Sequence, residues 1–319
     1  MSRSWKWDFE DAPRRLQRAP DPVSVAEPAV DEARFRRRRG AAALVVVLIA
    51  AVVLVSLLGS HHRAAPATRA GSGTNVARGA PLGSGASASQ ARSSGDAVKD
   101  VLSYTPFVAA GGTRGRDIAL TFDDGPGPYT PEVLSVLERS HVPATFFAIG
   151  KMERYFSAST QREVADGDAV GDHTKSHLAL ATLSAQDQRE QLFEGIARIE
   201  LAGGPRTELF RPPYGSFSAT TLSELHSLRL LMVLWSVDTN DYLQPGVPVI
   251  VERALAGARP GAIILMHDGG GDRAQTIAAL PQIIHDLQAR GYALVTVPQL
   301  LQDDPPPAGL PIPHSLAGD

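Results

Sequence analysis

The sequence predicts an α/β domain built on a parallel sheet, preceded by a single transmembrane helix and a disordered linker. Three observations predict it. Short apolar runs alternate with longer amphipathic ones from about residue 113 to 302. Alternation of this kind is the signature of a parallel sheet with helices outside, closed as a barrel or left open. One long apolar run precedes that region, and between the two lies a stretch with almost no large apolar residue.

The elements follow in order. Residues 1–40 form a basic cytoplasmic tail with no convincing periodicity, ending in Arg36-Arg37-Arg38-Arg39. Then comes AAALVVVLIAAVVLV at 41–55, and the apolar character continues past Ser56 to Leu58. With its flanks this reaches the ~20 residues that cross a bilayer. The arginines mark the cytoplasmic side, so 41–59 reads as an anchor with everything after it outside the cell. A cleaved signal peptide is the rival reading. It fits less well, because the leader is long and Ala65-Pro66-Ala67 is a weak cleavage site. Residues 60–112 are rich in Gly, Ser, Ala, Arg and Pro and read as a flexible linker. His61-His62 within it reads as solvated.

Candidate strands in the folded part, 113–302, are 117–122, 144–149, 168–171, 208–211, 231–237, 262–266 and 293–297. Candidate helices are 131–140, about 153–165, 184–201, 218–228, 247–257 and 273–289. Ser184 reads as an N-cap and Gly291 as a helix stop. Residues 303–319, with Pro305-Pro306-Pro307, read as a disordered tail.

Composition narrows the function. The chain has no Cys, which excludes disulfides, thiolate metal sites and a Cys nucleophile. Residues 101–319 carry 16 Lys and Arg against 25 Asp and Glu. An acidic domain is a poor partner for nucleic acid, which needs a basic footprint. A neutral substrate suits it better.

Chemistry-bearing residues gather where the strands end. Asp123-Asp124-Gly125-Pro126 follows the first strand and His173-Thr174-Lys175-Ser176-His177 the third. Arg211-Pro212-Pro213-Tyr214-Gly215 follows the fourth, Asp238-Thr239-Asn240-Asp241-Tyr242 the fifth and His267-Asp268-Gly269 the sixth. In parallel α/β folds the active site lies at that end of the sheet. Two histidines at i and i+4 on a helical turn face one way, and with one carboxylate they make a catalytic zinc set. Either aspartate of the adjacent pair can be that carboxylate. A cation also explains the pair, because two close carboxylates are hard to keep ionised together. A helix N-cap or a salt bridge to a loop arginine would explain the pair alone, but not the other four motifs at the same edge. His141, His226, His285 and His314 follow no such pattern.

These motifs resemble the polysaccharide deacetylase family, also called NodB-homology or carbohydrate esterase family 4. All five of its motifs occur in order: TFDDGP at 121–126, HTKSH at 173–177, RPPYG at 211–215, DTNDY at 238–242 and LMH at 265–267. The resemblance covers about 117–298 and implies a distorted (β/α)7 barrel. It implies Asp123 as general base and Asp124, His173 and His177 as metal ligands. Arg211 would pair with the base, and the backbone N–H of Tyr214 would help form the oxyanion hole. Asp238 would orient and charge His267, the general acid. Leu265, Trp235 and Tyr242 would wall the substrate groove. The metal implied is divalent; zinc fits the ligands, with cobalt, nickel and manganese as alternatives.

Two departures stand out. Asp172 occupies a position where the family often has Asn, and it either ends the strand or supports the site. Tyr242 stands where Trp is common. The function expected is removal of N-acetyl groups from an extracytoplasmic polysaccharide, with peptidoglycan first and chitin-type oligomers second. The alternatives are an O-acetyl esterase of xylan type and a non-catalytic glycan-binding wall protein.

Overall fold

The computed structural model describes residues 95–314. The expected basic tail, the apolar run 41–59 and most of the expected linker lie outside the described residues. Among the described residues, no helix is long and apolar enough to cross a membrane.

Among the described residues, nine short strands make one sheet. They are β1 (Phe107–Val108), β2 (Asp117–Asp123), β3 (Thr145–Ala148), β4 (Ala169–Asp172), β5 (Leu209–Phe210), β6 (Leu231–Val233), β7 (Val237–Asp238), β8 (Ile263–His267) and β9 (Ala293–Val295). Among the described residues, a helical stretch at 95–102 precedes them, and seven further helices connect or flank them: α1 (Thr130–Ser140), α2 (Gly150–Asp166), α3 (Ala185–Leu201), α4 (Ala219–Leu228), α5 (Val247–Gly257), α6 (Ala274–Ala289) and α7 (Val297–Asp303). The strand order is β1-β6-β5-β4-β3-β2-β8-β7, with β9 on β2, and every pairing is parallel.

The strand expected over 231–237 is two strands far apart on this path, β6 beside the edge strand β1 and β7 at the other edge. Only residues 234–236 join them, so the two edges must lie close together and the sheet must curl. Leu234 N–H donates to Val108 O and Ser236 N–H to Ile263 O, which pins the crossover to the edge strand β1 and to β8 beside the other edge. The gap between the edges carries an isolated antiparallel bridge, Ala110 to Ala262, rather than a ladder. The sheet is a curled half-barrel, with nine short strands where the sequence suggested seven.

Strand alternation sorts the core and positions the site. On β2, Ile118, Leu120 and Phe122 pack outward with Leu134, Leu137, Leu280 and Ile283 of α1 and α6. The intervening Ala119, Thr121 and Asp123 therefore face the concave side. On β8, Ile264 and Met266 pack with the outer cluster, while Ile263 packs with the inner one. That leaves Leu265 and His267 facing inward. Asp123 and His267 are register partners in adjacent strands, so the pleat presents both on one face.

The domain begins earlier than composition suggested. Residues 95–102 are helical, and β1 pairs with β6 through Phe107 and Met232. Val98, Val101 and Val108 are buried in the inner cluster. Residues 95–112 therefore belong to the fold, not to a linker. The Gly- and Ser-rich stretch before them masks a short apolar cluster when the region is averaged. At the other end the expected strand 293–297 stops at Val295. Thr296 then caps α7, its hydroxyl accepting the Gln299 N–H, with Pro in the first turn. Order continues past 303: the Asp304 carboxylate accepts the Arg114 and Gly115 N–H groups, and Tyr104 Oη donates to Pro306 O at 2.8 Å.

Two helix signals hold as expected. Ser184 caps α3 by accepting the Asp187 N–H, and Gly291, at φ +79°, ends α6. α2 starts at Gly150, three residues before its expected start. There it abuts α3 so closely that a Cβ would lie 3.0 Å from the Gly195 Cα.

Candidate active site

The adjacent aspartates both reach the concave cavity because the chain turns between them. Asp123 is the last residue of β2, and Asp124 has a left-handed φ of +73°. Asp123 Oδ1 accepts from Arg211 Nη1 at 2.7 Å, and Asp124 Oδ1 lies 3.0 Å from His177 Nε2 and 3.5 Å from His173 Nε2. Asp123 Oδ2 is 3.8 Å from His173 Nε2.

The two histidines sit on a compact turn after β4, not on a helix. Thr174 and His177 both have left-handed φ, +70° and +59°. The turn is fixed by its own Thr174 and by Gln191 of α3. Thr174 Oγ1 accepts the His177 N–H, Gln191 Oε1 accepts from Ser176, and the Lys175 N–H donates to Gln191 O. The rings end with centroids 5.0 Å apart. His173 Nδ1 is 2.7 Å from Arg211 O, an acceptor only, so Nδ1 carries the proton and Nε2 presents a lone pair to the cavity. Asp172 both ends β4 and supports this turn: its Oδ1 accepts the Thr174 N–H and its carbonyl accepts the Arg211 N–H. Burial pushes its carboxyl well above the usual range, against the Thr174 N–H.

Arg211 follows β5, three strands from β2. Side chains stand roughly perpendicular to a sheet, so these residues meet only across a curled one. Its guanidinium is fully buried. It donates to Asp123, Thr121 Oγ1, Val233 O and Leu234 O, and lies 4.1 Å from the Phe147 ring centroid. Burial lowers its pKa, while Asp123 works in the opposite direction. Tyr214 also has a left-handed φ, +59°, and its ring packs edge-on against His177 at 4.6 Å. Burial, then Asp124, raises its phenol to about 12.

The carboxylate that holds His267 is Asp241, not Asp238. Asp241 Oδ1 is 2.7 Å from His267 Nδ1, and its Oδ2 accepts the His267 N–H at 2.9 Å and the Thr276 hydroxyl at 2.7 Å. Asp238 instead accepts the Asn240 N–H at 2.7 Å. The reason is the turn: Asn240 is left-handed at φ +49°, which swings the next residue under His267. Sequence offered no way to choose between two aspartates three apart in DTNDY. Burial opposes the charge on His267, but Asp241 outweighs it, with Asp124 and Asp123 adding to the effect, and the imidazole rises to about 9. Burial pushes Asp238 upward.

The three expected groove residues all lie near this cavity. Leu265 is buried on β8. Trp235 is half-buried, its ring centroid 5.8 Å from the Arg211 guanidinium. Tyr242 is 44 % exposed, and its ring meets His267 edge-on at 5.4 Å. Thr121 and Thr276 also join the network; sequence reasoning did not find them, because a threonine carries no distinguishing local pattern.

Asp124, His173 and His177 bring one ligand atom each within 4.8 Å of one another, all from buried residues. Burial works against the charge on Asp124, but His177, with His267 adding to it, holds the carboxyl well below its usual range. Asp124 Oδ1 has no hydrogen-bond donor. It faces the His173 lone pair, an arrangement that is repulsive unless a cation lies between. Two imidazoles and one carboxylate fit a divalent metal.

Fold and site together define a curled parallel α/β scaffold with an Asp–His–His metal set beside separate Asp–Arg and Asp–His pairs. A family profile described as Polysaccharide deacetylase matches residues 110–233. The chain is 39% identical over 211 residues to a chitooligosaccharide deacetylase of Sinorhizobium fredii, covering 62% of this chain and 98% of that protein. It is 38% identical over 188 residues to a peptidoglycan-N-acetylglucosamine deacetylase of Bacillus cereus, covering 58% and 88%. The crystal structure of a peptidoglycan N-acetylglucosamine deacetylase bound to a naphthyl N-hydroxybenzamide superposes with a TM-score of 0.61 at 32% identity, over 63% of this chain and 95% of that one. The chain belongs to the polysaccharide deacetylase family, with its Asp–His–His set intact.

Proposed function

We propose that this protein is a metal-dependent N-deacetylase of N-acetylglucosamine polymers, acting on peptidoglycan first and chitin-type oligomers second. One observation carries the reading. A metal set, an arginine-paired carboxylate and a carboxylate-paired histidine converge on one concave face, which is the equipment amide hydrolysis needs. The similarity to chitooligosaccharide and peptidoglycan deacetylases supports the substrate class.

A divalent ion on Asp124, His173 and His177, with zinc the first choice, supplies Lewis-acid activation when bound. The chain's own groups do the rest. Asp123, held by the Arg211 guanidinium, takes a proton from the attacking water as oxygen adds to the acetamide carbonyl carbon. The Tyr214 N–H donates to the carbonyl oxygen as it gains charge; one such donor is typically worth about 3 kcal/mol. The C–N bond then breaks, and His267, protonated at neutral pH beside Asp241, gives its Nε2 proton to the leaving amine. The products are acetate and a glucosamine unit. Trp235, Leu265 and Tyr242 line the approach.

The full-length chain with zinc, offered N-acetylglucosamine oligomers and peptidoglycan fragments, is expected to release acetate, followed by mass spectrometry. Chelator removes the activity, and the better substrate fixes the order. Release from acetylated xylan alone would replace this reading by an O-esterase.

We also propose that residues 41–59 anchor the protein in the membrane with the catalytic domain outside. The uninterrupted apolar run and the arginine cluster before it support this. Protease added to intact cells should remove the domain; protection of the domain would contradict the orientation.

A further inference from the structure

The geometry points to Thr276 as a positioning residue for proton transfer: its buried hydroxyl fixes the Asp241 carboxylate in the orientation that holds His267. The inference rests on the reading of His267 as the proton donor given above.

Thr276 lies in the first turn of α6 and is fully buried. Its hydroxyl donates to Asp241 Oδ2 at 2.7 Å. The same oxygen accepts the His267 N–H at 2.9 Å, while Oδ1 faces His267 Nδ1 at 2.7 Å. Of these three donors, two belong to His267 itself. Thr276 is the one that comes from another element, so it sets the plane of the carboxylate independently of the residue being oriented.

The backbone of Asp241 cannot do this alone. Its turn runs between Asn240 and Gln244, both left-handed, and is held at Thr239, whose hydroxyl donates to Leu265 O and whose carbonyl accepts from Arg253. Those contacts fix the peptide and leave the side-chain torsions of Asp241 to be set by its partners. Asp241 is 1 % exposed, so losing the Thr276 hydroxyl would leave Oδ2 with the His267 N–H alone and no water to replace the lost donor. A swivelled carboxylate no longer demands the proton on His267 Nδ1. The ring then loses both its tautomer and its counter-charge.

The other groups that act on His267 stay in place when Thr276 changes. They are Asp123 and Asp124 at the end of β2, Asp238 at the end of β7, and the Tyr242 ring. A changed His267 therefore reports the link through Asp241.

The test compares full-length wild type with Thr276→Val and Thr276→Ser, all with zinc. Two quantities are read: kcat and KM on a chitin-type oligomer from about pH 6 to 10, and the His267 ring titration by NMR, its signal assigned with His267→Gln. Thr276→Val is expected to lose about tenfold in kcat with KM held, on the scale of one buried hydrogen bond to a charged group. Its alkaline limb and its His267 titration should both move down by about half to one pH unit. Thr276→Ser keeps the donor and should stay close to wild type. An unshifted titration in Thr276→Val would overturn the inference, as would Thr276→Ser losing as much as Thr276→Val. If wild type releases no acetate from any glycan, the functional reading fails, and the NMR titration still decides whether Thr276 governs His267.

Discussion

At the scale of single residues, the site separates charge by neighbour. Asp123 faces a buried guanidinium, Asp124 faces two imidazoles, and Asp241 faces one. Replacing Asp123 with Asn keeps its shape and removes its capacity to take a proton. The expected loss in kcat is on the order of 10²–10⁴ with zinc still bound. Steady-state kinetics alongside metal analysis checks it, and loss of zinc together with activity would mean that Asp123 is a ligand instead.

His267 gives a pH prediction with a definite sign. Its imidazole is raised to about 9, so the charged form contributes stability fully below the ordinary value near 6.5 and loses it as pH rises through about 9. Activity that needs the proton should fall along the same limb. Asp241→Asn removes the counter-charge and should move that limb toward the ordinary histidine range, whereas Asp238→Asn should leave it near its place. A pH–rate series on both variants distinguishes them. Equal shifts would contradict the pairing seen here.

At the scale of elements, α2 is unusual in what it buries. Its inward residues include Glu153, Ser159, Thr160 and Glu163, where an amphipathic helix would bury apolar ones. The Thr160 hydroxyl donates to Glu153 at 2.9 Å, and Glu163 Oε2 has no partner. Burial raises Glu153 to about 7, against the Thr160 hydrogen bond and with some help from Asp268, and burial pushes Glu163 well above its usual range. A raised carboxyl means that the folded state holds protons the unfolded chain has released. Stability then falls as pH climbs from about 4.5 through about 7, by up to about 3 kcal/mol for Glu153. Thermal melts should drop between about pH 4.5 and 7, and Glu153→Gln should flatten that drop. The consequence reaches the site, because Gly150 and Lys151 N–H groups at the start of α2 donate to Thr174 and Lys175 carbonyls in the histidine turn.

At the scale of the whole molecule, the domain depends on its first described residues. The helical stretch 95–102 and β1 bury Val98, Val101, Phe107 and Val108 at an edge of the sheet. A chain begun at residue 113, the boundary that composition suggests, should fold poorly. Phe107→Ala alone should cost roughly 3–5 kcal/mol, the range for buried Phe truncations. Chemical denaturation measures it, and a variant as stable as wild type would show that β1 is dispensable.

Much of the site was legible because its motifs are local. Each lies in the few residues after a strand, and strand ends can be placed from apolar periodicity and turn residues. Asp124, His173 and His177 come together as expected, as do Asp123 and Arg211. The parallel α/β class also follows from periodicity, since alternating short and long apolar patterns leave few other solutions. The rest depended on distance through space. The split of 231–237 into strands far apart in the sheet, the inclusion of 95–112 in the fold and the threonines that anchor the network have no local signature. Nor does the choice of Asp241 over Asp238, since both are acidic residues in one short turn. Sequence determined which chemical groups stand at the end of the sheet, because periodicity and turn chemistry act over a few residues. Tertiary structure decided which of them touch, because a left-handed residue or a curl in the sheet redirects side chains by more than the spacing between neighbours.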